Sequence, residues 1–326
     1  MKKKIAIILT VIMMLAIFSG CGLKGSVSSN KKVKILFSLS DGSDNFRKLL
    51  AKYAENYAKS QNVELTVMDA AGSIEKQVSN MKEAVTSGYS AIICAPVNID
   101  TALQLEKTAE GIPIVFLNSN PKDSLLEKNK YVYVGSDEKV AGQYQAEYIA
   151  SYLKSKNDVK VVLLKGEKGH PATKGRTEAA KQTLKEKGIN AEYVFEDNAN
   201  WSRQTAKDMF NVFLSTGKKF DCVIANNDEM ALGVVDSLRE NNIDPSSIPI
   251  LGVDATSVGK QAVVDGSMKL TIYQPAEGQS KSAVQAAIEI GSGGSLSNIK
   301  NVADNGKYIW VPFEKVDSSN VNKYMN

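Results

Sequence analysis

The chain has 326 residues, 43% hydrophobic and 23% charged, enough apolar material for a sizeable core and for about two domains of ~100–200 residues each, which excludes wholesale disorder and a polytopic membrane protein. Forty Lys and Arg stand against 36 Asp and Glu, and three of the basic residues (Lys2, Lys3, Lys4) precede an apolar run; the body of the chain is therefore nearly neutral and offers no basic patch for nucleic acid. A single histidine excludes a zinc site with several imidazoles and a relay between two histidines.

In chain order, Lys2-Lys3-Lys4, the apolar stretch Ile5 to Phe18 (broken by Thr10) and Ser19-Gly20-Cys21 supply the three regions of a secretory signal, predicting a signal peptide over residues 1–20. The stretch falls short of the ~20 apolar residues that span a bilayer. Phe18-Ser19-Gly20-Cys21 resembles a lipobox, in which the cysteine is acylated and becomes the new N-terminus. Small, polar residues from Gly22 to Asn30 then read as a flexible tether, to residue 32. The expected location is the outer face of the cell membrane, with Cys21 as anchor. Cys94 and Cys222 each sit in an apolar run and are expected as buried free thiols.

From Lys31 onward, short apolar runs alternate with helical patterns, as in a parallel sheet covered by helices. The predicted strands are 33–39, 63–68, 91–95, 114–117, 131–134, 159–164, 191–195, 222–225, 250–253 and 270–273. Phe46, Leu49, Leu50, Tyr53, Ala54 and Tyr57 recur at helical spacing on one face, as do Ala206, Met209, Phe210, Phe213 and Leu214; both stripes read as core. About five strand–helix units lie on each side of Asn118–Lys130. The fold class is therefore α/β: two similar lobes, each a parallel β-sheet flanked by helices, joined by hinge segments near Asn118, Tyr273 and Lys307. The expected boundaries are 33–118 plus 274–306 for the first lobe and 119–273 plus 307–326 for the second.

Ligands of open parallel sheets sit beyond the carboxyl ends of the strands, so two such sheets facing each other make a cleft. Polar residues recur at those ends: Asp44 and Phe46 after the first strand, Lys165 to Pro171 after the sixth, Asn226-Asn227-Asp228 after the eighth, Asp254 after the ninth and Gln274 after the tenth. Any one of them reads equally as a helix cap, Asp44 and Asp228 above all. Trp201, however, stands in the polar turn Asp197-Asn198-Ala199-Asn200-Trp201 just before Ser202 opens a helix, where a core role is hard to arrange. An indole covers the C–H face of a sugar ring, and carboxylates, amides, arginine and histidine bond its rim. Partial coverage of such an aromatic contributes about one to a few kcal/mol, and a few charged hydrogen bonds bring the total to the roughly −8 kcal/mol of micromolar binding.

Four blocks, Tyr131-Val132-Tyr133-Val134-Gly135-Ser136-Asp137, Leu163-Leu164-Lys165-Gly166-Glu167-Lys168-Gly169-His170-Pro171, Val223-Ile224-Ala225-Asn226-Asn227-Asp228-Glu229-Met230-Ala231 and Gly252-Val253-Asp254-Ala255, resemble the galactose/glucose-binding proteins of the periplasmic sugar-binding (type I solute-binding) family, in the same order across the mature chain. The resemblance implies that Phe46 and Trp201 sandwich a sugar ring. It also implies that Asp44 and Asp254 accept from hydroxyls, that His170 and Arg176 donate, and that Asn227 does both, with Gln274 in place of a hinge asparagine. Two further family positions are changed, an asparagine to Ala95 and an aspartate to Ala172. The implied role is a monomeric, lipid-anchored receptor that feeds a monosaccharide such as galactose or glucose to the permease of an ABC importer, or serves chemotaxis or another small sugar or polyol.

No cofactor or metal is expected. Ser155-Lys156-Asn157-Asp158-Val159 offers too few alternating oxygen ligands for the calcium loop of some relatives. Gly166-Glu167-Lys168-Gly169-His170-Pro171 lacks the GK[ST] ending of an ATP-binding loop, no G-x-S-x-G elbow follows a strand, and the first strand is not followed by G-x-G-x-x-G. An enzyme is therefore not expected, and an export signal stands where a repressor of this fold would carry a helix-turn-helix.

Overall fold

A computed structural model describes residues 32–325, so the expected signal peptide, Cys21 and nearly all of the tether lie outside the described residues. Within them the strand–helix alternation builds two six-stranded sheets. The first comprises β1 (Lys34–Leu39), β2 (Glu64–Asp69), β3 (Ala91–Cys94), β4 (Ile114–Leu117), β5 (Tyr131–Gly135) and the late strand β11 (Tyr308–Trp310), ordered β11-β5-β4-β3-β1-β2 and parallel throughout. The second comprises β6 (Asp158–Lys165), β7 (Asn190–Asn198), β8 (Cys222–Ala225), β9 (Ile250–Leu251), β10 (Leu270–Tyr273) and β12 (Glu314–Asp317), ordered β12-β10-β9-β8-β6-β7, with only β12 antiparallel.

Strands covered on both faces read as unbroken apolar runs, and β3, β4 and β8 are buried at every position. The helices α1 (Asn45–Ser60), α2 (Ile74–Thr86), α3 (Ala102–Thr108) and α9 (Ala276–Gly291) flank the first sheet; α4 (Glu138–Tyr152), α5 (Pro171–Glu186), α6 (Arg203–Ser215), α7 (Asp228–Glu240) and α8 (Ser257–Val264) flank the second. The two apolar stripes are core as expected. Phe46, Leu50 and Ala54 of α1 are buried against β1 and α9, and Ala206, Phe210 and Phe213 of α6 pack in the second lobe. Each large side chain so buried contributes roughly 1.5–3 kcal/mol. Cys94 and Cys222 are buried and free, and burial pushes the Cys222 thiol up to about 12.

The expected lobe boundaries need correction. The segment after Asn118 does not leave the first lobe, because β5 pairs with β4 along Ile114–Leu117. The chain first crosses at Ser136–Asp137, after β5. It returns at Gln274–Pro275, and it crosses last at Val311–Phe313, after β11 rather than near Lys307. The loop from Asn118 to Lys130 resembles a linker in length and polarity, and Tyr308–Trp310 is too short to register as a strand. The crossings are tied together: Ser136 Oγ donates to the Val311 carbonyl (2.6 Å) and accepts from Gln279 Nε2 (3.0 Å), and Val311 N–H donates to the Gly135 carbonyl (2.9 Å). Among the described residues no helix is long and apolar enough to cross a membrane.

Candidate functional site

The carboxyl ends of both sheets converge on one cavity between the lobes, the place where open parallel sheets take their ligands. Asp44, Phe46, Arg47 and Asn118 line it from the first lobe; His170, Ala172, Arg176, Trp201, Asn227 and Asp254 line it from the second, with Gln274 at a crossing. All eight residues singled out in the sequence therefore meet in one place. Arg47 and Asn118 are additions. Asn118 obeys the rule that selected most of the others, being the first polar residue after a strand; Arg47 carries no signal beyond its place in the first turn of α1. Ala95 is buried at the end of β3, away from the cavity lining, whereas Ala172 lies on it.

Three of these residues cap helices as well as face the cavity, because strand ends and helix starts coincide in this fold. Asp44 accepts from Arg47 N–H at the start of α1 (2.8 Å). Asn227 accepts from Met230 N–H at the start of α7 (3.0 Å) and donates through Nδ2 to the Trp201 carbonyl (3.3 Å). His170 accepts from Ala172 N–H through Nδ1 at the start of α5 (3.2 Å). Cap and cleft residue are thus the same side chains. Asp228, the other suspected cap, lies beneath the site: it accepts from Thr271 Oγ1 (2.6 Å) and from Thr256 N–H (2.8 Å) and Oγ1 (3.1 Å), and burial lifts its carboxyl to about 7.

Arg176 organises the second-lobe wall. Helices α4 and α5 touch backbone to backbone at Gly142, where an added Cβ would lie 2.1 Å from the Arg176 carbonyl oxygen. The guanidinium, 3% exposed, donates through Nε to Glu138 (2.6 Å), through Nη1 to the Asn226 carbonyl (2.6 Å) and through Nη2 to Gln274 Oε1 (2.9 Å), and Nη1 stands 3.8 Å from Asp254. Burial raises the carboxyls of Glu138 and Asp254 against the opposing pull of this one cation, and they in turn raise the guanidinium. A buried cation with several partners is rigid, and removal of one member strands the others.

Asn200 and Trp201 are both left-handed (φ 53° and 63°), and the indole packs against Gly166, where an added Cβ would fall 2.1 Å from the ring. The His170 ring meets the indole edge-on at 5.3 Å. Asn118 (φ 68°) and Asp254 (φ 111°) are also left-handed, so three non-glycine residues of the lining hold conformations that cost about 1–3 kcal/mol each. Trp201 Nε1 and Gln274 Nε2 are buried without a hydrogen-bond partner among the described residues, at about 1–3 kcal/mol apiece. A polar guest in the cavity would satisfy such groups.

His170 differs from expectation. With Nδ1 accepting from a backbone N–H, the neutral ring carries its proton on Nε2, which donates to Ser119 Oγ (2.9 Å) on the first lobe. Both nitrogens are occupied, so the expected donation to a ligand has no free N–H here. Burial, then Arg47 and Arg176, pull this imidazole down to about 3. A second bond between the lobes runs from Asn45 Nδ2 to Glu229 Oε1 (2.9 Å). Among the described residues no group of three or more His, Cys, Asp or Glu side chains is gathered closely enough to hold a metal ion.

Residues 35–295 match the family profile of the periplasmic binding protein domain, and the chain belongs to that family. It is 33% identical to a putative rhizopine-binding protein of Rhizobium meliloti over 86% of this chain and 89% of the relative. It is 28% identical to a D-galactose/methyl-galactoside binding periplasmic protein of Haemophilus influenzae over 99% of each. Among solved structures, an ABC transporter solute binding protein of Bacillus halodurans with bound myo-inositol superposes with a TM-score of 0.80 at 26% identity, over 90% of this chain and 97% of that one.

Proposed function

We propose that the protein is an extracytoplasmic receptor that closes on one six-carbon ring polyol and presents it to the permease of an ABC importer. The observation behind this reading is the cavity wall itself. Aromatic groups reach it from opposite lobes, Phe46 and Trp201, and the same lining carries acceptors (Asp44, Asp254), a donor (Arg176) and amides (Asn227, Gln274). Faces for C–H bonds and a rim for hydroxyls are what such a ring requires. The match to the periplasmic binding protein domain supports binding rather than turnover.

Among ring polyols we place a cyclitol first and galactose or glucose second. A hexopyranose presents an anomeric hydroxyl and an exocyclic hydroxymethyl that need partners of their own. Ala172 brings no acceptor to the wall, and His170 has no free nitrogen for a second alcohol. The relative with bound myo-inositol supports the same order. Calorimetry of the mature protein against myo-inositol, D-galactose, D-glucose and D-ribose tests it: micromolar binding, about −8 kcal/mol, is expected for myo-inositol. Only millimolar binding across the panel would overturn the class; tighter binding of galactose would overturn the order. Lipidation at Cys21 belongs to the same proposal, and Cys21→Ser is expected to release the protein from the cell into the medium.

A further inference from the structure

The contact between His170 and Ser119 spans the cleft. Ser119 belongs to the loop between β4 and β5 of the first sheet, and His170 opens α5 of the second lobe. The imidazole is held by a donor on one side and an acceptor on the other: Ala172 N–H points at Nδ1, and Ser119 Oγ receives the Nε2 proton. A second proton on Nδ1 would face the Ala172 N–H and break the cap. The charged groups about the ring reinforce this. Arg47 approaches from α1 of the first lobe and Arg176 from α5 itself; Asp44 lines the same cavity from the first lobe, Asp100 of the first lobe and Glu167 and Lys168 of the second line a neighbouring pocket with His170 and Ser119, and Trp201, packed edge-on, brings no charge. Of the two arginines, only Arg47 and its desolvating lobe arrive when the lobes meet.

We propose that His170 is a latch between the lobes that engages only as the neutral imidazole, so that in acid the protonated ring must first lose its proton to solvent and the cleft is held open. The sign follows from linkage. In open lobes, with water back at Nε2 and Arg47 withdrawn, the ring returns towards its ordinary 6.5, whereas closure lowers it. The closed form binds fewer protons, so closure is favoured at pH above the open-state value and weakens as pH falls below it. His170 is thus a positioning residue for the cleft rather than a ligand donor. The proposal goes beyond the polyol reading and does not need it.

The test uses the single histidine of the chain, whose labelled imidazole resonances report this residue alone. In a Cys21→Ser chain, Asn45→Cys and Glu229→Cys place thiols at a second hydrogen bond between the lobes (2.9 Å in the native pair), and a short bis-maleimide joins them with the lobes closed. The expected result is an imidazole pKa at least about one pH unit lower in the joined protein than in the unjoined one, with the proton on Nε2. Equal values, a ring protonated on Nδ1, or failure of the cross-link to form at neutral pH would overturn the proposal. With myo-inositol as probe, the Kd is expected to rise up to about tenfold between pH 7.5 and 5.5. His170→Gln, which keeps an acceptor for Ala172 and a donor for Ser119, is expected to lose that rise, and parallel profiles would again overturn the latch. If myo-inositol does not bind, the ligand reading fails while the cross-linked pair still decides the latch.

Discussion

The two walls of the cleft are built differently. On the second lobe, Arg176 is tied to Glu138, Asn226 and Gln274, Trp201 rests on Gly166, and Asn227 is pinned by its cap, so the wall is assembled before any guest arrives. On the first lobe, Asp44 is fixed through its cap and Phe46 by the core beneath it, while Arg47 has no hydrogen-bonded side chain among the described residues. A preassembled surface binds at less entropic cost than one ordered on contact. The second lobe therefore acts as the docking wall and the first as the cover, and substitutions should tell them apart.

The largest effect is expected from Arg176→Ala. It leaves Glu138 and Asp254 buried without their cation, so thermal or denaturant unfolding should show a loss of about 3–5 kcal/mol, and polyol binding should fall below calorimetric detection. Retained binding would mean that the docking wall does not depend on its central ion group. Next come Trp201→Ala and Gly166→Ala. The first removes the plate and the second drives a methyl into it, and each should weaken binding at least tenfold, about 1.4 kcal/mol, with Gly166→Ala leaving the indole present as a fluorescent reporter. Asp44→Ala, on the covering wall, should cost less: a few-fold in affinity and about 1 kcal/mol of stability through the lost cap of α1. An Asp44 effect exceeding that of Trp201 would reverse the assignment of the two walls.

The smallest effect concerns pH. Burial lifts Asp228 in the second lobe and Glu106 in the first from their ordinary values to about 7, so the folded chain holds protons that the unfolded chain has released. Stability from these groups is full below about pH 4 and is lost as pH rises through about 7, above which it no longer changes. His170 works the other way, since its lowered value contributes stability that is lost as pH falls below 6.5. These carboxyls, with Glu138 and Asp254 raised by burial in the same direction, outnumber one imidazole, so the melting midpoint should be higher at pH 5 than at pH 8, and Asp228→Asn should flatten the second lobe's share.

Much of this organisation was legible in the sequence, because the signals were local. A parallel strand covered on both faces needs an apolar run, and a cleft residue must follow such a run, which sufficed to collect Asp44, Phe46, His170, Asn227, Asp254 and Gln274, whereas Trp201 was marked by its polar turn and Arg176, inside α5, entered only through the family resemblance. The lobe boundaries were not legible, because they depend on which strand β5 and Tyr308–Trp310 pair with, and pairing across half the chain leaves no mark in a local pattern. The role of His170 was hidden likewise. Its residue type marks a donor, but only the backbone of Ala172 and the hydroxyl of Ser119 decide where its one proton goes.

The position of β11 has a consequence for biogenesis. Its neighbour β5 is made before the middle of the chain, yet Tyr308–Trp310 comes near the end, so the first lobe presents an unprotected edge until synthesis is almost complete. Such long-range pairing slows folding. A polypeptide that must be threaded through a membrane before it folds is served by that delay, and a version ending before Tyr308 would be left with a ragged β5 margin on which other copies could accrete.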